Sequence, residues 1–146
     1  MERIISELLD WKLQFREYKT LLLTGSTEED RTKVIKEFAM NYFDNMVHIN
    51  LKNNQEVREY INTMPTGRDA YYFIEKAVHD MIVPLETILI FNNADSCEGQ
   101  GIWNYAKDFF EEEDMSFLAV VGDFTEEEIA AASDYCIVIR LPEKKA

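Results

Sequence analysis

The chain has 146 residues, 47% of them apolar, and 15 Lys plus Arg stand against 28 Asp plus Glu for a formal net charge of −13. That length suits one domain with a self-sufficient core, and that charge argues against nucleic acid or an anionic membrane surface as partner, because both are held by clustered Lys and Arg. Two cysteines make no disulfide framework, no apolar run reaches a membrane span, and MERIISELLDWK lacks a signal-peptide core, so the sequence predicts a soluble, cytoplasmic, acidic single domain over 1–146.

The elements alternate along the chain. Ile4, Ile5, Leu8, Leu9 and Leu13 fall at helical spacing and predict an amphipathic helix over 3–15. TLLLTG at 20–25 is a short apolar run ending in glycine, as a buried parallel strand does. Val34, Ile35, Phe38 and Tyr42 then line one face of a helix over 27–42. MVHINL at 46–51 predicts the second strand, with a short helix over 56–62 behind it. Ala70, Phe73, Ile74, Ala77, Val78 and Met81 mark a further helix, opened by a capping-box pattern at Thr66 and Asp69. TILIFN at 87–92 is the third strand, and a helix over 101–113 follows it. SFLAVVG at 116–122 is the fourth strand. Thr125 and Glu128 form a second capping-box pattern ahead of YCIVIRL at 135–141, the fifth strand. Strands alternating with helices imply a mostly parallel sheet covered on both faces, a three-layer α/β/α domain.

Ligands of such sheets sit at the carboxyl ends of the strands. The first strand runs into GSTEEDRT at 25–32, where Gly25 and Thr32 match the P-loop pattern G-x-x-x-x-G-K-[ST]. Asp30 stands at the second glycine and Arg31 at the lysine. The third strand ends in Asn92 and Asn93, where a Walker B strand ends in Asp and Glu, and the fourth ends beside Asp123, a sensor-like position. A receiver-like fold is excluded, since it needs paired acids after the first strand and an aspartate after the third.

On these residues the sequence resembles a prokaryotic AAA-superfamily ATPase family whose P-loop domain usually precedes winged-helix and nuclease-like domains. The likeness is carried by ELLDWK at 7–12, KTLLLTG at 19–25, VIKEF at 34–38, NYFDNMVHINL at 41–51 and TILIFNNADSCE at 87–98. It implies a five-stranded parallel sheet in the order 5-1-4-3-2, with the first strand between the fourth and fifth. It also implies that Gly25, Arg31 and Thr32 are a vestigial P-loop, Asn92 and Asn93 a vestigial Walker B, and Asp123 a sensor-like residue. The chain is then identified as a truncated, degenerate member of the family.

The departures fall on the chemistry. Arginine is too bulky and differently shaped for the cradle of a point-charge lysine. Asn92 and Asn93 carry no charge to hold hydrated Mg²⁺ or to orient water. Glu28, Glu29 and Asp30 would repel a triphosphate, whereas at a helix N-terminus they are favoured by the helix dipole. Ser26 with Glu29, or Thr27 with Asp30, offers a capping box there. The same acids with Asp95 and Asp123 could instead hold a divalent cation, a reading weaker than caps and solvent. His48 and His79 have no partner at ligand spacing, Cys136 fits a strand core, and Cys97 beside Glu98 lacks an activating environment. The sequence therefore predicts a pseudo-ATPase with no catalytic residue, no metal and no cofactor, acting through an unknown protein partner. The alternative is a sensor or ATPase with weak or altered binding of ATP and Mg²⁺ through Gly25, Arg31 and Thr32.

Overall fold

A computed structural model describes residues 2–13, 20–62, 75–76, 87–97, 102–103 and 117–142. In chain order these form α1 (Glu2–Leu13), β1 (Thr20–Gly25), α2 (Glu28–Tyr42), β2 (Asn45–Asn50), α3 (Gln55–Asn62), β3 (Thr87–Asn92), a 3₁₀ turn (Ala94–Ser96), β4 (Phe117–Val121), α4 (Glu126–Ala132) and β5 (Cys136–Leu141). The helices expected over 70–81 and 101–113 lie outside the described residues, apart from helical pairs at 75–76 and 102–103.

All five strands pair in parallel in the order β2-β3-β4-β1-β5, the order the family resemblance implies. β1 is held on both sides, with Leu21 opposite Ala119 of β4 and Ile137 of β5. β1, β3 and β4 are apolar nearly throughout because both of their faces are covered.

Side-chain alternation divides the core into two layers. Leu22, Val47, Ile49, Leu89, Phe91, Leu118 and Val120 face one side, where they meet Val57 and Ile61 of α3 and Ile129 and Ala132 of α4. Leu21, Leu23, Ile88, Ile90, Ala119, Val121, Ile139 and Leu141 face the other, against Ile4, Leu8 and Trp11 of α1 and Val34, Ile35 and Phe38 of α2. Trp11, fully buried, meets Phe117 edge-on at 5.5 Å between ring centres, and Phe43 closes that cluster against Phe117 at 4.9 Å.

Caps set the helix starts. Thr27 is the N-cap of α2, its hydroxyl accepting from the Asp30 N–H at 3.1 Å. Of the two capping patterns read at this turn, the structure uses Thr27, and not as a reciprocal box, because the Asp30 carboxylate accepts from the Ser26 hydroxyl at 2.6 Å. At α4 the box is complete. Thr125 accepts from the Glu128 N–H at 3.2 Å, and Glu128 returns a bond to the Thr125 N–H at 3.0 Å.

Candidate functional site

The carboxyl ends of β1, β2 and β3 converge on the N-terminus of α2, so the parallel sheet itself assembles the region that the sequence singles out. Only Ser26 and Thr27 separate β1 from α2. The helix starts at Glu28, and Glu28, Glu29 and Asp30 form its first turn.

The short turn sits in the left-handed region, with φ of +92° at Gly25 and +51° at Ser26. A side chain at 25 is barred for a second reason, since a Cβ there would lie 2.5 Å from the Leu141 carbonyl oxygen. Arg31 is 5% exposed and reaches back under the turn, its Nη1 donating to the Gly25 carbonyl at 3.0 Å and the Ser26 carbonyl at 3.3 Å. Phosphate cradles are built from inward-pointing N–H groups. Here two successive residues give their carbonyl oxygens to a cation from the protein's own helix. The Arg31 Nε is buried without a hydrogen-bond partner.

Thr32 and Asn92 come together, the Asn92 amide donating to the Thr32 hydroxyl at 2.7 Å. The orientation of that amide follows from its neighbours. Asn92 Oδ1 accepts from the Asn93 N–H at 3.0 Å, which leaves the Asn92 NH₂ facing both Thr32 and, at 3.2 Å, His48 Nε2. His48 Nε2 must therefore accept, so the imidazole is neutral with its proton on Nδ1. Burial, assisted by the charge of Lys36, pushes its pKa down to about 4.

Asn93 is buried with φ of +56°, a conformation asparagine tolerates better than most residues. Its amide donates to Glu28 Oε1 at 2.9 Å and to Asn50 Oδ1 at 2.9 Å, while Lys52 stands 3.8 Å from the other Glu28 oxygen. The two asparagines are thus joined to four side chains from β2 and α2, and through Glu28 to Lys52 of the turn after β2.

Asp123 is exposed and lines a groove of about 210 Å³ with Thr24, Gly25, Phe124 and Arg140. The five acids weighed as a cation site do not gather, for Glu28 turns to Asn93 and Asp30 to Ser26. Among the described residues no group of three or more His, Cys, Asp or Glu could hold a metal ion. Cys136 is buried in β5, and burial raises the Cys97 thiol to about 11, away from nucleophilic use.

His48, Asn50, Glu28 and Lys52 belong to this network and were not singled out as partners of the asparagines. The signal was the parallel register, which sets His48 beside Ile90 and Asn50 beside Asn92. Once β2 and β3 are neighbours, His48, Asn50 and Asn92 necessarily share a face.

No family model and no curated protein sequence matches this chain. Among solved structures, that of C. elegans PCH-2, a AAA+ ATPase, matches with a TM-score of 0.56 at 13% sequence identity. The match covers 98% of this chain and 40% of that one, so the chain spans well under half the length of its structural neighbour. Among the described residues no helix is long and apolar enough to cross a membrane. The five-stranded all-parallel sheet and its flanking helices form an α/β fold similar to that of a AAA+ ATPase domain.

Proposed function

We propose that this chain is a pseudo-ATPase domain, a cytoplasmic, degenerate relative of the prokaryotic AAA-superfamily ATPases that acts by binding another protein. The observation that supports this most is Arg31, whose guanidinium donates to the Gly25 and Ser26 carbonyls of its own turn instead of standing free for a phosphate. The asparagines reinforce it. A Walker B pair serves catalysis by negative charge at the metal and the attacking water. Asn92 and Asn93 have none, and their amides are committed to Thr32, His48, Glu28 and Asn50.

Electrostatics point the same way. Two unit charges about 5 Å apart at an effective dielectric near 20 interact by roughly 3 kcal/mol. Glu28, Glu29 and Asp30 in the first turn of α2 would each oppose a triphosphate there.

Calorimetric titration tests the reading. The unmodified protein is expected to give no saturable heat with MgATP at millimolar concentration. Asp30→Gly with Arg31→Lys removes one carboxylate and the guanidinium and is expected to gain weak nucleotide affinity without turnover. A micromolar isotherm from the unmodified chain, or phosphate release abolished by Thr32→Ala, overturns the reading in favour of a nucleotide sensor using Gly25, Arg31 and Thr32.

A further inference from the structure

The last residue of β3, Asn92, and its neighbour Asn93 join β2 to the first turn of α2 in one line of hydrogen bonds. The line starts at His48, whose Nε2 accepts from the Asn92 amide at 3.2 Å, while the second hydrogen of that NH₂ goes to the Thr32 hydroxyl at 2.7 Å. Asn92 Oδ1 takes the Asn93 N–H at 3.0 Å. The Asn93 NH₂ ends the line on Glu28 Oε1 and Asn50 Oδ1, each at 2.9 Å. Both hydrogens of each NH₂ are spent, so neither amide turns over without disturbing its neighbours.

A proton on His48 Nε2 turns the first acceptor of the line into a donor, set against the Asn92 NH₂. Turning the Asn92 amide over answers that, because its Oδ1 then accepts from the imidazolium. Thr32 follows by reversing its hydroxyl, which donates as readily as it accepts. The Asn93 N–H has no such freedom. It now faces the Asn92 NH₂, and a buried donor left against a donor is costly. Rotation of the 92–93 peptide relieves the clash, and Asn93, held at a φ of +56°, gives up a left-handed conformation in the process. That rotation carries its side chain away from Glu28 and Asn50.

The surroundings of the ring leave the answer to Asn92. Among the described residues the charge felt by His48 is that of Lys36 on α2, which opposes the proton. β3 sets Ile90 beside His48 and Asn92 beside Asn50, and neither carries a charge. We infer that Asn92 is a two-position amide switch that couples the charge of His48 to the grip of Asn93 on Glu28, and so to the start of α2. With the ring neutral, Asn93 ties the end of β3 to the first turn of α2. With the ring charged, the tie is released and Glu28 is left to Lys52, 3.8 Å away. The pKa of about 4 that burial and Lys36 give the ring keeps the tie closed at neutral pH. Linkage makes the coupling reciprocal: freeing Asn93 from Glu28 raises the affinity of His48 for its proton. The inference goes beyond the pseudo-ATPase reading and does not depend on it.

The test is a pH titration of the full chain by NMR, from neutral pH downward in dilute solution, following the His48 ring and the backbone N–H of Asn93 together. The Asn93 signal should shift with the midpoint of the His48 ring, and His48→Gln should abolish that transition. Glu28→Gln removes the titration of that carboxylate from the record and should leave the His48-linked shift in place. Asn93→Gly keeps the N–H, accepts a positive φ and changes no charge, but has no side chain to hold Glu28. It should raise the ring midpoint by about one unit, the worth of roughly one hydrogen bond. A ring that gains its proton while the Asn93 N–H stays unshifted has swung out of the line, and overturns the inference. So does a ring midpoint that Asn93→Gly leaves unchanged, or an Asn93 shift that vanishes in Glu28→Gln. MgATP titration decides the pseudo-ATPase reading separately, since neither of its outcomes moves the ring midpoint of the nucleotide-free protein.

Discussion

Acidifying the solution should destabilise this protein through His48 in a defined window. The folded imidazole is held near pKa 4, below its ordinary 6.5, so between those values the unfolded chain binds a proton that the folded chain refuses. Stability is unaffected above about pH 6.5, falls as the pH drops through the window, and levels off below about pH 4 as far as this group is concerned. At 1.36 kcal/mol per pKa unit, the loss between about pH 8 and pH 5 is about 2 kcal/mol, rising towards about 3 kcal/mol at lower pH. The cause is burial first and the charge of Lys36 second, and the Asn92 amide, which donates to His48 Nε2 at 3.2 Å, would meet a proton there with another donor. Urea denaturation of the wild type and His48→Gln at pH 8, 6 and 5 isolates the effect, because the many carboxylates cancel in the difference. The wild type should lose about 2 kcal/mol relative to the variant across that range. A difference that is the same at pH 8 and pH 5, or a His48 ring that titrates by NMR at 6.5 or above, refutes the reasoning.

Asn92→Asp should raise the His48 pKa from its depressed value, since a carboxylate accepts where the amide donated; proton NMR of the ring checks it. Gly25→Ala should cost on the order of 2–4 kcal/mol in chemical denaturation, because φ is +92° and the new Cβ would meet the Leu141 oxygen at 2.5 Å. Thr27→Ala and Thr125→Ala should each cost about 1 kcal/mol for a lost cap, and Ser26→Ala less than Thr27→Ala, read from denaturation midpoints. Asn93→Glu should destabilise the fold by setting a second carboxylate against Glu28, and Glu28→Gln should restore much of the loss in the same assay.

The fold was legible because β1, β3 and β4 are buried on both faces, and so read as near-continuous apolar runs that only parallel sheets require. The strand order was not contained in those runs and came from the family likeness. The sequence marked Thr32 and Asn92 as separate positions, and their hydrogen bond emerges only from the structure. The conduct of Arg31 was not legible either, because it depends on the left-handed turn at Gly25 and Ser26 that aims their carbonyls inward. Serine gives no sequence signal for a positive φ. The part played by His48 was hidden for a different reason: a strand histidine has no visible partner until the neighbour and register of β2 are known. Asp123, at the sensor-like position, shares a groove with Gly25 and Thr24, and the Thr24 hydroxyl accepts from the Phe124 N–H at 3.3 Å.

The position of β1 between β4 and β5 also governs how the chain reaches its native state. Leu21 meets Ala119 and Ile137, partners roughly a hundred residues away along the chain. β2 and β3 are closer in sequence and can pair sooner, but β1, made first, waits for the last two strands before either side is covered. During synthesis its TLLLTG segment stays without partners until nearly every element exists, a state in which unpaired apolar strands invite aggregation. Folding should therefore be slow for a domain of this size, with its commitment step the insertion of β1 between β4 and β5 rather than any event local to the first half of the chain.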